Sequence, residues 1–179
     1  MKIFFSGGCK NGKSTLAERC VKSLAGSGPL YYIATMIPHD HEDEARIRRH
    51  VESRAGMGFI TLEQGTDVLG CLDHADPGGA FLLDSVTALL SNEMFRADGS
   101  GDDTAGERVA ADLVALSRKV GSIVMVSDFI YSDAGRYDDF TQNYRRALAE
   151  CDRALAAECD TVVEVFSTNP VIYKGALPI

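Results

Sequence analysis

The segment from Gly7 to Ser14, with the sequence GGCKNGKS, has the residue types and spacing of a loop that binds phosphate groups. It follows the apolar run Ile3-Phe4-Phe5 and precedes a segment with helical apolar spacing, so the expected order is strand, loop, helix. Glycines let such a backbone curl until successive N–H groups point at phosphate oxygens, which then face a helix N-terminus. The motif therefore predicts a nucleoside triphosphate site, with a chance match in a glycine-rich turn as the alternative.

Three side chains in and near this loop have the chemistry that phosphate transfer requires. Lys13 brings a positive charge to the outer phosphates, and Ser14 offers its hydroxyl to Mg²⁺. Asp84 ends a later apolar strand, where a carboxylate can orient a Mg²⁺ ligand or water, and it could also cap the helix that follows. Ser14 and Asp84 are the predicted Mg²⁺ ligands, and the predicted nucleotide-binding residues of the loop are Gly7, Gly8, Cys9, Lys10, Asn11, Gly12, Lys13, Ser14 and Thr15.

A second candidate site is the basic segment RIRRHVESR, which runs from Arg46 to Arg54. Asp40 marks the start of the predicted helix as its cap, and Arg46, His50 and Arg54 then share one face at i, i+4 and i+8. Arginines bind phosphate through two hydrogen bonds at once, and they disfavour protonation of the imidazole, which leaves it neutral and nucleophilic near pH 7. A solvated basic face with an incidental histidine is the alternative. An apolar seam is predicted to dock this helix, formed by Ile47 and Val51.

Strand and helix signals alternate along the chain. Short continuous apolar runs indicate parallel strands that are buried on both faces. The sequence therefore predicts one α/β domain over residues 1–179, with a mainly parallel sheet of the P-loop NTPase (RecA-like) type, helices on both faces and an antiparallel last strand at Val171–Lys174. The predicted strands are Lys2–Ser6, Leu30–Thr35, Ala80–Asp84, Ser122–Ser127 and Thr161–Phe166; the predicted helices are Ser14–Leu24, His41–Arg54, Val86–Phe95, Glu107–Lys119 and Asp138–Ala157; and Ala97–Gly106 is predicted to be a mobile, solvated loop.

Composition and charge narrow the possible classes of protein. The chain has 179 residues, of which 45% are hydrophobic, enough for one domain with a buried core. Its formal charge of −8 argues against a nucleic-acid surface, and no apolar stretch is long enough to span a membrane. The five cysteines are odd in number and have no C-x-x-C spacing. They indicate neither a disulfide framework nor a zinc site, and the cytoplasm is the predicted compartment.

Several segments in this order form a more specific pattern than the phosphate loop alone. The pattern consists of G-G-x-x-x-G-K-S at Gly7–Ser14, YIAT at Tyr32–Thr35, R-I-x-x-H-x-x-x-R at Arg46–Arg54, Thr61, Glu63, LLDSVT at Leu82–Thr87, LSN at Leu90–Asn92 and Phe95. Many nucleotide-binding proteins share the first motif, whereas the combination with the histidine helix and LLDSVT is much rarer. The chain resembles the bifunctional adenosylcobinamide kinase/adenosylcobinamide-phosphate guanylyltransferase family of cobalamin biosynthesis, through nearly its whole length.

The resemblance implies an activity and assigns roles to particular residues. By resemblance, His50 attacks the α-phosphate of GTP and carries GMP as a phosphoramidate, which then passes to adenosylcobinamide phosphate. A kinase step is implied as well, with ATP or GTP as phosphate donor, Mg²⁺ as cofactor, a corrinoid as the acceptor and a homotrimer as the assembly. The implied catalytic residues are His50, Lys13 and Asp84, and the implied nucleotide site adds Arg46, Arg54, Glu63 and Asp84 to the loop.

The chain departs from the family pattern after its fifth strand. Members typically read Ser-Asn-Glu-Val-Gly there, whereas Ser127–Tyr131 reads SDFIY. Such folds place substrate contacts in the loop after a parallel strand, so the difference falls at the predicted corrinoid site. Two other functions stay open: a P-loop kinase or nucleotidyltransferase with another substrate, and a nucleotide-dependent regulatory protein in which His50 only binds phosphate. Thr87 and Asn92 match the family, but the sequence alone does not explain their roles.

Overall fold

The computed structural model describes residues 1–38, 40–95 and 100–179. Its strands are β1 (Lys2–Ser6), β2 (Leu30–Ala34), β3 (Ile60–Glu63), β4 (Ala80–Asp84), β5 (Ser122–Val126), β6 (Thr161–Phe166) and β7 (Asn169–Lys174). They form one seven-stranded sheet in the order β3-β2-β4-β5-β1-β6-β7. The strands from β1 to β6 pair in parallel, and β7 pairs antiparallel with β6.

Side-chain caps mark the starts of several helices, including the predicted cap Asp40 before the helix that carries His50. Asp40 accepts a hydrogen bond at 2.8 Å from the N–H of Asp43, which satisfies a donor that has no partner within the helix. In the described ranges, no helix is both long and apolar enough to cross a membrane. The helices are α1 (Lys13–Ala25), α2 (His41–Ser53), α3 (Val86–Met94), α4 (Ala105–Lys119) and α5 (Asp139–Glu158), with a 3₁₀ helix at Val68–His74.

Helices cover the sheet on both faces. On one face, α1 packs against strand residues such as Phe5 and Leu82. On the other face, α3, α4 and α5 pack against the neighbouring residues Phe4 and Leu83. The two cores share the same strands because successive side chains of a strand point to opposite faces. The predicted mainly parallel α/β sheet with helices on both faces is confirmed.

All the predicted strands and helices are present, with small shifts at their ends, whereas β3 and the 3₁₀ helix were missed. β3 lies at the edge of the sheet, and its first and last residues, Ile60 and Glu63, are exposed. Only Leu62 of this strand packs against the core. An edge strand of this kind has no continuous apolar run, so the pattern that identified the central strands could not detect it.

The last two strands form a tight hairpin. Its two-residue turn is Ser167-Thr168, with φ angles of +47° and +67°. Left-handed residues at both positions match the twist of the flanking strands. The predicted antiparallel last strand is confirmed, although it begins at Asn169 and so includes Pro170. Proline is tolerated there because β7 is the other edge strand of the sheet.

Part of the segment that was predicted to be a mobile loop is helical. Residues 97–99 of that segment lie outside the described residues, but α4 already begins at Ala105. Ala105 and Gly106 are buried, which contradicts a solvated loop. A Cβ atom at Gly106 would lie 2.7 Å from the Cβ of Ala147 on α5. The glycine is therefore present because α4 and α5 approach closely, not because the chain turns.

Replacing Gly106 with valine should lower the free energy of unfolding by about 1–3 kcal/mol, because the new side chain forces α4 away from α5. Ala111→Val is a suitable control, since it places the same side chain at an exposed position of the same helix. Urea denaturation of both variants measures the difference. Equal losses in the two variants would show that the helices do not need this close approach.

Candidate functional site

The backbone of residues 7–12 has the curled conformation of a phosphate-binding loop. Gly7, Lys10 and Gly12 have positive φ angles of +145°, +54° and +89°, a region that glycine adopts most readily. A Cβ atom at Gly7 would lie 2.4 Å from the carbonyl oxygen of Val165 on β6. Only glycine therefore fits between the loop and the neighbouring strand.

The hairpin of β6 and β7 holds this loop from the outside. Asn11 Nδ2 donates a hydrogen bond to the carbonyl oxygen of Val165. The N–H of Thr168 in the hairpin turn donates to the carbonyl oxygen of Asn11 at 3.1 Å. The Oδ1 atom of Asn11 also accepts from the N–H of Lys13 at 3.3 Å. These hydrogen bonds fix the loop through contacts within the protein, which reduces the entropy lost when phosphate binds.

The Lys13 side chain is only 5% exposed, and its ammonium group turns back into the loop. Nζ donates to the carbonyl oxygen of Gly8 at 2.6 Å and forms an ion pair with Asp128 Oδ1 at 2.8 Å. A buried ammonium needs such partners because its desolvation is otherwise costly. Lys13 therefore lies inside the phosphate loop with its charge balanced by a carboxylate.

Asp128 is the second residue after the end of β5, the strand beside β1 in the sheet. Its N–H donates to Thr87 Oγ1 at 2.8 Å, and the N–H of Phe129 donates to the carbonyl oxygen of Gly7 at 2.9 Å. The carbonyl oxygen of Thr87 accepts from the Tyr144 hydroxyl at 2.9 Å. Thr87 thus positions Asp128. In the sequence, Asp128 stands out only as a departure from the family pattern, although a carboxylate in the loop after a buried central strand is itself a signal for a site.

Asp84 lies at the end of β4 and accepts a hydrogen bond at Oδ2 from the Tyr32 hydroxyl at 3.0 Å. Its alternative role as the cap of α3 is wrong. Ser85 caps this helix, with its hydroxyl oxygen accepting from a first-turn N–H at 3.2 Å. Asp84 also lies near enough to His50 for its negative charge to raise the pKa of the imidazole. The carboxylate therefore belongs to the site and not to the helix start.

Arg54 fixes the end of α2 on the sheet. Its side chain is buried, and its guanidinium carbon lies 3.4 Å from the centroid of the Tyr32 ring, a cation–π contact. Phe59 meets the same ring edge-on, with 5.8 Å between the centroids. Among the residues that the structure describes, the buried Nη1 atom of Arg54 has no hydrogen-bond partner. A guanidinium with an unused donor is well suited to bind a phosphate.

A cavity of about 390 Å³ opens beside Arg54. Phe59 and Thr61 line it together with Gly56, Gly58 and Val51 of α2. Its volume is in the range of small-molecule sites, and its mostly small and apolar walls leave the guanidinium as the main polar feature. Thr61, which matched the family pattern, thus lies in the wall of a candidate nucleotide site.

His50 lies one helical turn before Arg54 and is half-buried. Burial lowers the pKa of its imidazole below the usual value; the Asp84 carboxylate opposes this shift, and the charges of Arg54, Arg46 and Arg49 reinforce it. The predicted direction is confirmed, but burial is a larger cause than the arginines. The imidazole is therefore neutral near pH 7 and available as a nucleophile.

The apolar seam that was predicted to dock α2 does not do so. Val51 is 53% exposed, Ile47 is only half-buried, and α2 has no buried residue within its bounds. The helix is held at its C-terminal end instead, where Arg54 stacks on Tyr32. Few apolar contacts give a segment low local stability, so α2 can shift at small cost relative to the sheet.

Glu18 lies near Arg54 and Asp84 and was missed from the sequence. It lies on α1, one turn after Ser14. Burial raises the pKa of the Glu18 carboxyl. The positive charge of Arg54 opposes this shift, and the negative charge of Asp84 adds to it. The three charged groups therefore form one cluster, to which α1, β4 and the end of α2 each contribute a residue. Glu18, Arg54 and Asp84 lie far apart in the sequence, so no local sequence pattern predicts this cluster.

Asn92 also has a structural role that the sequence did not reveal. Its Nδ2 group donates to the carbonyl oxygens of Thr35 and Gly65, at 2.7 and 2.8 Å. These residues follow β2 and β3, so Asn92 ties together the loops at the carboxyl ends of two neighbouring strands. The amide supports the part of the sheet edge where Asp84 lies.

The other predicted nucleotide contacts lie around this edge of the sheet. Ser14 is half-buried and Thr15 is exposed in the first turn of α1. Cys9 carries an exposed free thiol within the loop. Glu63 ends the edge strand β3, and both Glu63 and Arg46 are exposed. The structure thus places Lys13 inside its loop and His50 beside Arg54. Glu63 and Arg46 lie at the periphery of the site.

The His50 imidazole should titrate with a midpoint below 6.5, because the folded site favours the neutral form. The unfolded chain then binds the proton more readily, so stability falls as the pH drops through the range below 6.5. NMR titration of the histidine ring protons, with His50→Asn for assignment, measures the midpoint. A midpoint at or above 6.5 would mean that Asp84 outweighs burial and the arginines.

The chain is similar to several known proteins. The model of the family described as cobinamide kinase / cobinamide phosphate guanyltransferase matches residues 3–172. The bifunctional adenosylcobalamin biosynthesis protein CobP of Pseudomonas aeruginosa is 30% identical over 177 residues, covering 98% of each chain. The bifunctional adenosylcobalamin biosynthesis protein CobU of Salmonella typhimurium is 30% identical over 180 residues, covering 93% of this chain and 96% of its own. The solved flagellar accessory protein FlaH of Methanocaldococcus jannaschii is 11% identical with a TM-score of 0.46, covering 97% of this chain and 78% of its own. The chain belongs to the cobinamide kinase / cobinamide phosphate guanyltransferase family.

Proposed function

We propose that residues 1–179 form one bifunctional enzyme domain that phosphorylates adenosylcobinamide and then transfers GMP to the product. The observation that carries this proposal is the pair of phosphate-handling groups at one edge of the sheet: buried Lys13 within the phosphate loop, and His50 beside Arg54 and Asp84. A kinase alone needs only the first group. The relatives at 30% identity are both named bifunctional adenosylcobalamin biosynthesis proteins, which supports the same substrate class.

In the kinase step, the acceptor is the hydroxyl group of the corrinoid. Its oxygen bonds to the γ-phosphorus of ATP or GTP while the bond to the bridging oxygen breaks and releases a nucleoside diphosphate. The curled backbone of residues 7–12 binds the phosphates, and Lys13 neutralises the charge on the outer ones. Most of the catalysis therefore comes from positioning and electrostatic stabilisation.

In the guanylyltransferase step, the neutral imidazole of His50 attacks the α-phosphorus of GTP. A P–N bond forms, the bond to the β-phosphate breaks, and pyrophosphate leaves. The phosphate of adenosylcobinamide phosphate then displaces the imidazole and forms adenosylcobinamide-GDP. Arg54 supplies the unused guanidinium donor beside His50, which suits the charge that develops on the phosphate.

Mg²⁺ is the proposed cofactor. Among the described residues, no group of three His, Cys, Asp or Glu residues could hold a metal ion by itself. Mg²⁺ at triphosphates does not need such a group, because one or two protein oxygens suffice beside phosphates and water. The hydroxyl of Ser14 and the carboxylate of Asp84 are oxygen donors of this kind. They would hold the ion, which supplies positive charge to the phosphates.

The proposed assembly is a homotrimer in the cytoplasm, which follows the family resemblance and the cysteine content. A divergent kinase or nucleotidyltransferase with another acceptor is the second candidate. One observation favours it: the loop after β5 carries Phe129 and Tyr131 where the family typically has Glu and Gly, and their rings pack with 4.7 Å between the centroids. Because the two candidates differ in their acceptor, phosphorylation of adenosylcobinamide by the wild-type protein decides between them.

His50→Asn should abolish the covalent GMP adduct that forms with GTP and Mg²⁺, because the amide cannot act as the nucleophile. Phosphorylation of adenosylcobinamide should continue, since it does not pass through the imidazole. Intact mass spectrometry detects the adduct, and lability in acid with stability in alkali identifies a phosphoramidate. His41→Asn is the matched control, because His41 is fully exposed on the same helix and should leave the adduct unchanged. A wild-type protein without an adduct would refute the guanylyltransferase proposal.

Lys13→Ala should reduce the rate of corrinoid phosphorylation by about 10²–10³, equivalent to about 3–4 kcal/mol of transition-state stabilisation. The buried ammonium lies inside the loop, and its hydrogen-bond partners in the described part of the chain, Gly8, Asn11 and Asp128, include no second cation that could replace it. Lys22→Ala, at an exposed position of α1, is the control. Steady-state kinetics with ATP and with GTP compare the variants. Near-normal turnover without Lys13 would place the kinase chemistry elsewhere.

A further inference from the structure

We propose that Asp128 is a catalytic residue of the kinase step: its carboxylate accepts the proton of the attacking hydroxyl group, and between turnovers it pairs with Lys13. This inference rests on the proposed kinase activity. It concerns a residue that differs from the usual family pattern, in which an asparagine occupies this position. The family therefore does not assign this role to it.

The first support is the distance between Asp128 and the phosphate loop. Asp128 Oδ1 lies 2.8 Å from Lys13 Nζ, which in a loop of this type contacts the outer phosphates. A carboxylate in contact with this ammonium therefore lies beside the position of the γ-phosphate. The acceptor hydroxyl must reach the same phosphorus, so its proton comes within reach of Asp128.

The second support is that Asp128 is fixed in place and still accessible. Its backbone N–H is bonded to Thr87 Oγ1, and the next N–H is bonded to the carbonyl oxygen of Gly7. Both bonds hold the residue against the loop and α3. Its side chain is nevertheless 20% exposed, unlike that of Lys13 at 5%. A group that takes a proton and returns it to solvent needs this combination of fixed position and partial access.

The third support is the distribution of carboxylates around the loop. Asp128 provides the one carboxylate bonded to Lys13 among the described residues. The next residue, Phe129, is 41% exposed and cannot accept a proton. Asp128 is therefore the acidic group that this loop places at the phosphate position.

The reaction balances with these groups. When the triphosphate binds, the Lys13 ammonium moves from the carboxylate to a phosphate oxygen, and Asp128 is left as an anion without its cation. The acceptor oxygen then bonds to the γ-phosphorus, the bond to the bridging oxygen breaks, and the hydroxyl proton moves to the Asp128 carboxylate. The proton leaves to solvent when the nucleoside diphosphate departs and the ion pair with Lys13 forms again.

A purely electrostatic role for Asp128 predicts a different behaviour. A carboxylate that only occupies the ammonium competes with phosphate for Lys13. Its removal would then strengthen nucleotide binding and leave turnover unchanged or faster. A proton acceptor, in contrast, is needed only in the transition state, so its removal lowers kcat even if binding improves.

The test compares Asp128→Asn, Asp128→Glu and the control Asp73→Asn, a matched change at an exposed position of the 3₁₀ helix. The proposal predicts that Asp128→Asn lowers kcat for adenosylcobinamide phosphorylation by about 10²–10⁴, the usual effect of a general base. The nucleotide KM should not rise. Asp128→Glu should restore part of the rate.

Formation of the GMP adduct on His50 in the same preparations separates this inference from the proposed function. The adduct should persist in Asp128→Asn, which also shows that the variant is folded. If wild-type protein phosphorylates adenosylcobinamide and Asp128→Asn keeps kcat within about threefold of it, which is below the range for a general base, the inference is overturned alone. If wild-type protein does not phosphorylate adenosylcobinamide, the proposed kinase function itself fails.

Discussion

The Lys13 ammonium is buried, and a buried charge is tolerated only when other groups surround it closely. This requirement connects the central elements of the fold. The loop after β1 supplies the carbonyl oxygen of Gly8, and the loop after β5 supplies the carboxylate of Asp128. The β6–β7 turn holds Asn11 from the other side. Because β5, β1 and β6 are neighbours in the sheet, their carboxyl ends meet at one point, and the cation lies there.

The His50 half of the site is built on a different principle. Here the reactive group must be neutral, and the surroundings favour the neutral form through burial and nearby arginines. The residues come from α2, β2, β4 and α1, and they meet through Arg54, which stacks on Tyr32 beside Asp84. Since α2 itself has no buried residue, this stacking contact is the main anchor of the helix. The proposed kinase and guanylyltransferase groups therefore lie on one edge of the sheet but differ in rigidity: Lys13 is fixed, whereas His50 is carried on a helix that can shift.

Local patterns in the sequence predicted the fold and the two central groups of the site. The phosphate loop, the central strands, the Asp40 cap and the shared face of His50 and Arg54 all depend on residues close together in the chain. What was missed depends on distant residues. β3 has no apolar run because it lies at the edge, and Gly106 lies in a helix that packs closely against α5. Neither Ile47 nor Val51 of the predicted seam is buried. Asp128 and Glu18 belong to the site only because separate elements bring them to Lys13 and Arg54.

The most direct test of this account is a crystal structure with Mg²⁺ and a non-hydrolysable triphosphate analogue. The account predicts that Lys13 Nζ binds a β- or γ-phosphate oxygen at about 3 Å, that the backbone of residues 7–12 keeps its conformation, and that Asp128 no longer contacts Lys13. An analogue bound elsewhere, with the contact between Lys13 and Asp128 still at 2.8 Å, would contradict the claim that this loop is the triphosphate site.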